Sequence, residues 1–235
     1  MRRQGAVLKR LVATSAVVAG AGLVLAGCAP VKFGSAAIVG NNAITIATLD
    51  TEATNLSQDA KPYSSIFQLT PTQATQATLS WMIQYQINEQ LARQAGITVS
   101  AGQAQAALAQ IYAQAKAEAA ESGVSNASLN LILSHAGIPP NLYAEVGKYE
   151  AIDTQYEKMV NGGKAPASGS AAATAAGKKL THALCLAAKS LKIQVNPQFG
   201  RFDYSTYEVV TAPSTVTRAE GPAKAASRAG LTPAC

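Results

Sequence analysis

TPTQATQATLSWMIQYQINEQLARQAG, residues 70–96, is the stretch whose reading decides the fold. Thr70 is a helix N-cap, and Pro71 takes the first helical position, where a missing N–H costs nothing. Leu79, Met82, Ile83, Ile87 and Leu91 then recur at helical spacing, and Gly96 supplies the exit. The pattern predicts one long helix with a single core-facing stripe. Trp81 and Tyr85, four residues apart, lie off that stripe. They either pack against a second helix or form an exposed aromatic strip.

The residues that follow repeat the pattern. Ile97-Thr98-Val99 leads to Ser100, an N-cap for an alanine-rich helix with the stripe Ala104, Leu108, Ile111, Tyr112, Ala115 and Ala119, ended by Gly123. A short helix with Leu129, Ile132, Leu133 and Ala136 stops at Gly137. Pro139-Pro140 precedes another long helix with Leu142, Val146, Tyr149, Ile152, Tyr156 and Val160 on its stripe. Residues 161–177, rich in Gly, Ala and Ser, are predicted to be a flexible connector passing into a helix that carries Leu180, Leu184, Ala187, Ala188 and Leu191. Lys192–Val195 and Tyr207–Val210 are short strand candidates, and 211–235 is a low-complexity tail poor in large apolar residues. Upstream, Ala36–Gly40 and Ala43–Ile46 flank Asn41-Asn42 as a hairpin or bent strand. Thr48 is predicted to cap a short helix to about Leu56, and 57–69 is polar with Pro62 breaking it. The class expected is mainly α (α+β), with β-prone pieces only at the two ends.

The chain of 235 residues carries a formal charge of +6, which at face value suggests an anionic partner. Its position says otherwise. Arg2, Arg3, Lys9 and Arg10 form a basic opening, Leu11–Leu25 an uncharged apolar run, and Leu25-Ala26-Gly27-Cys28 closes it, the layout of a secretory signal. The closing tetrapeptide resembles the bacterial lipobox, which implies cleavage before Cys28 and a diacylglyceryl group on its thiol. Two acyl chains anchor a protein stably. The expected location is the extracytoplasmic face of the cell membrane. Removing 1–27 takes four positive charges with it and leaves +2 from the original +6, which removes most of the support for a nucleic-acid partner. The expected organisation is a signal at 1–27, a lipidated tether at 28–35, a helical domain at 36–210 and the tail.

Several of these segments together resemble the SurA/PrsA/trigger-factor group of bacterial extracytoplasmic chaperones, in its SurA-like N-terminal domain. Ala37-Ile38-Val39-Gly40-Asn41 with Ile44-Thr45 and Leu49-Asp50 is similar to the family's opening strand-to-helix pattern. Leu91–Ser100 is similar to the exit of its first long helix, Ala136-Gly137-Ile138-Pro139 to the stop before the next, and Ile193–Gly200 to a common ending. The resemblance implies a helical cradle and a late segment that returns to pair with the first strand. The prolyl isomerase domain of full members has no counterpart, because the place where it would be inserted holds only the Gly/Ala/Ser connector.

Enzymatic chemistry finds little material. His135 and His182 belong to no metal-binding or triad spacing, and Gly162-Gly163-Lys164 lacks the strand that a phosphate loop requires. No cofactor and no metal site is expected. With Cys28 committed to lipid, Cys185 and Cys235 could form a disulfide tying the tail to the last helix, or remain two thiols. The function expected is a lipid-anchored chaperone or holdase for unfolded exported polypeptides, without catalysis. Trp81, Met82, Tyr85 and Tyr112 are its candidate client-binding residues. A structural or adaptor lipoprotein holding one envelope partner is the alternative.

Overall fold

The computed structural model describes residues 34–211. The predicted signal, Cys28, Cys235 and the predicted tail beyond 211 lie outside the described residues. The chain opens with β1 (Ser35–Val39) and β2 (Asn42–Thr45), an antiparallel hairpin turned by Gly40 at φ 60°. A Cβ at Gly40 would meet Leu191 Cδ2 at 3.0 Å, and its N–H donates to the Leu191 carbonyl. Glycine rather than the asparagine pair makes this turn, because the backbone is left-handed and closely approached at once. β1 takes in Ser35, the last residue of the predicted tether.

α1 runs Ile46–Ala60, longer than predicted and capped one turn earlier: the Thr45 hydroxyl accepts from Thr48 N at 3.0 Å. Thr48 is therefore the residue being capped, not the cap. α2 runs Pro71–Ala95, with Thr70 and Gln73 forming a reciprocal capping box and Gly96 left-handed at φ 67°. Ser100 and Gln103 repeat the box for α3 (Ala101–Glu121), so two of the four orphan N–H groups at each start are satisfied by side chains or by reciprocal bonding. α4 is Leu129–His135, and α5 is Tyr143–Val160, entered through a 3-10 turn at Pro140–Leu142. α6 is Ala171–Ser190, capped by Ser170. The connector is thus shorter than the predicted 161–177, because the alanine-rich residues from Ala171 onward already belong to the helix.

After α6 come β3 (Gln194–Val195), β4 (Arg201–Asp203) and β5 (Glu208–Val210). β3 pairs antiparallel with β1, Ala37 opposite Val195 and Ile38 opposite Gln194, giving the order β2-β1-β3. The late segment returns to the first strand, and a mainly helical fold with a small β element results. β4 and β5 form a separate ribbon. It rests on α2, where Val209 N donates to Ser80 Oγ at 2.8 Å and Gln84 Nε2 to the Tyr207 carbonyl at 2.8 Å.

Two apolar clusters organise these elements. The larger gathers Val39, Leu49, Leu79, Ile83, Ile87 and Leu91 with Leu180, Ala187, Ala188 and Leu191 of the α6 region, closed by Phe202 and Val209. The smaller centres on Leu133, Ile138 and Val146, with Trp81, Leu108, Ile111 and Leu142 packed around it. Leu131 of α4 is buried and Ala136 exposed, so the short helix turns a slightly different face inward than predicted. α3 has no fully buried residue. Its predicted stripe of Ala104, Leu108, Ile111, Tyr112, Ala115 and Ala119 is its half-buried face. α3 meets α5 closely: a Cβ at Gly147 would collide with the Ala104 carbonyl oxygen and stand 3.0 Å from Leu108 Cβ. No described helix is long and apolar enough to cross a membrane.

Candidate functional site: an aromatic cleft between the second and fifth helices

Core positions 79, 83, 87 and 91 of α2 turn Trp81, Met82, Tyr85 and Gln86 away from the deepest burial. These four line one wall of a cleft of about 320 Å³. Leu142 and Glu145 at the start of α5 form the opposite side, and Asn42 of β2 closes one end. Trp81 is held by Tyr149, ring centroids 5.2 Å apart and tilted 41°. This is the second packing contact of the two arrangements open from sequence, yet the indole still borders the cleft. Met82 packs against the larger core while lining the same space.

Glu89 and Arg93 continue the α2 wall. Lys148 Nζ meets Glu89 Oε1 at 2.6 Å, and Arg93 Nη1 stands 3.9 Å from Glu89 Oε2. Burial, followed by the nearby Glu89 charge, pushes the Tyr85 hydroxyl above its ordinary proton affinity, so Tyr85 is a neutral phenol at physiological pH. The Glu89 hydrogen bond, the largest influence on Lys148, raises that ammonium in turn. Trp81 Nε1, Gln86 Oε1 and Glu145 Oε2 are buried without a hydrogen-bond partner. The cleft therefore offers apolar and aromatic surface with a few unsatisfied polar atoms, a combination suited to reversible binding.

Tyr112 is not part of this surface. Its hydroxyl donates to the Ala127 carbonyl at 3.2 Å, tying α3 to the segment before α4. Three of the four candidate client-binding residues are thus brought together and the fourth is not. Sequence reasoning did not identify Leu142 and Glu145, which reach the cleft only because α5 folds back on α2. His135 stacks edge-on with Phe67 at 5.1 Å. Cys185 is 2% exposed and disulfide-bonded; its partner is not among the described residues. No group of His, Cys, Asp and Glu that could hold a metal ion occurs among the described residues.

A second polar centre fixes the helices around the cleft. Asp59 of α1 accepts from Ser134 Oγ at 2.6 Å, Asn130 Nδ2 at 2.9 Å and Tyr143 OH at 3.1 Å. One carboxylate thus ties α1 to α4 and to the first residue of α5. Burial, the largest influence, pushes the Tyr143 hydroxyl well above its ordinary proton affinity, so it acts as a donor to Asp59 throughout the physiological range.

The chain matches the model of the SurA-like N-terminal domain over residues 2–157. Fold and match together define a chaperone-type helical domain. The chain belongs to the SurA-like N-terminal domain family. That domain is of a non-catalytic type, and its family is chaperone-related. No curated protein and no solved structure matches the chain.

Proposed function

We propose that this protein is a lipid-anchored holdase that binds unfolded exported polypeptides at the extracytoplasmic face of the cell membrane, without catalysing prolyl isomerisation. The observation that carries the reading is the convergence of Trp81, Met82 and Tyr85 in one cleft of a chaperone-family fold. Covering an apolar client segment there contributes roughly 25 cal/mol per Å² buried, enough for weak, reversible capture when several side chains engage. Cys28 is the lipidation site in this reading, and Cys235 the disulfide partner of Cys185.

Suppression of aggregation of a chemically denatured client tests the binding function. Wild type is expected to suppress it, Tyr85→Ala to lose most of the effect, and Tyr112→Phe to keep it. Equal suppression by all three would remove the cleft from the account. Retrieval of a single stoichiometric partner in place of many clients would instead support the adaptor reading. Mass spectrometry of protein from the membrane fraction tests the anchor: an unmodified Cys28 would overturn it.

A further inference from the structure

Asn88 lies in the middle of α2 with 0% of its surface exposed. Its Nδ2 donates to Asp153 Oδ1 of α5 at 2.6 Å, but its Oδ1 has no partner. A buried carbonyl without a donor is costly, and an ionised carboxylate has no proton to offer. A carboxylic acid beside an amide has the complementary set: it accepts from the amide N–H and donates its O–H to the amide oxygen. We propose that Asp153 is held in the folded protein as a neutral acid whose hydroxyl donates to Asn88 Oδ1, closing a two-bond ring that pins α5 to α2 and opens when the proton leaves to solvent.

The surroundings favour the neutral form. Burial first, then the Glu150 charge, pushes the Asp153 carboxyl up to about 7, and Glu157 adds to the rise against the lowering effect of Asn88. Glu150 is itself raised by burial and by Glu157. Glu150, Asp153 and Glu157 share one face of α5, so the Glu157 charge discourages ionisation of the other two. Tyr149, neutral and raised mainly by burial, also feels Asp153.

The other helices on α5 supply no compensating cation. α2 carries Glu89, engaged with Lys148, and Arg93; α3 carries Lys116, Glu118 and Glu121; α6 carries Lys178, Lys179, His182 and Lys189. None of these is among the groups acting on Asp153. The folded chain therefore keeps a proton that the unfolded chain releases near 3.8. This contribution to stability is full in acid and is lost as pH rises through about 7, the reverse of the usual carboxylate. Because α5 also brings Leu142 and Glu145 to the cleft, the ring makes the cleft's second wall responsive to pH.

Carbon-13 NMR of the side-chain carboxyls in the full chain tests the ring without any client, so its outcome is separate from the binding function. Asp153 is expected to titrate near 7, and Glu150→Gln to lower that midpoint. The denaturant midpoint of wild type is expected to fall as pH rises from about 4 to about 7. Asp153→Asn, whose amide offers a donor at every pH, should lose a large part of that fall. An Asp153 titrating near 4, or an undiminished fall in Asp153→Asn, would overturn the proposal. If Asp153→Asn does not fold, the wild-type and Glu150→Gln titrations decide alone.

Discussion

The body around α2, α5 and α6 and the arm formed by α3 are both helical, yet they are held together by different physics. In the body, Leu79, Ile83, Ile87, Ala187 and Ala188 are at most 1% exposed, and the strands β1 and β5 pack on the same core. In the arm, α3 buries no residue completely. Close approach to Gly147 of α5 and the Tyr112 bond to the Ala127 carbonyl replace depth of burial. A region with little deep apolar burial opens more readily than one with much. The chain thus joins a firm platform to a more yielding α3, and the cleft lies within the platform, lined by Trp81, Met82 and Tyr85 of α2 and by Leu142 and Glu145 at the entry to α5.

The largest effect is expected in the body. Leu79→Ala removes a side chain with 0% exposure and should lower unfolding free energy by about 3–4 kcal/mol, measured by denaturant titration. Gly147→Val comes next. Its Cβ has no room beside the Ala104 carbonyl, so α3 should lift from α5 at a cost of about 2–3 kcal/mol. Hydrogen exchange separates the two variants: Gly147→Val should strip protection from α3 and spare α2, whereas Leu79→Ala should weaken both. Uniform loss in Gly147→Val would mean that arm and body are one cooperative unit.

Asp59→Ala deprives Ser134, which is 0% exposed, of its acceptor. It is expected to cost about 2 kcal/mol and to loosen the entry to α5, seen as faster exchange across residues 129–145. The smallest effect belongs to Tyr112→Phe. It loses one bond to the Ala127 carbonyl, so the loss should be about 0.5–1 kcal/mol, with client binding intact.

The long helices were legible because their information is local. The Thr70 and Ser100 caps, the four-residue recurrence from Leu79 to Leu91 and the Gly96 exit act within one turn or one face. Pairing of β1 with β3 spans more than 150 residues of chain and was anticipated only through family resemblance. The polar couplings were not legible at all. Asp59 and Asn88 look in sequence like ordinary surface residues of amphipathic helices, and their partners stand 65 to 84 positions away. The separation of Tyr85 from Tyr112 failed for a related reason. Both are tyrosines on half-buried helix faces, and only the place where α4 and α5 pack decides that one borders a cleft and the other bridges a loop. Thr48 misled because two threonines compete for one cap, and the backbone turns at Thr45.

Trp81 is the sole tryptophan in the chain and borders the cleft, so its fluorescence reports directly on the central claim that client segments bind there. Titration with a denatured client that lacks tryptophan is expected to give a saturable change in Trp81 emission, with Tyr85→Ala shifting the midpoint at least several-fold and Tyr112→Phe leaving it in place. Client binding, shown independently by suppressed aggregation, with no change at Trp81 would contradict the account.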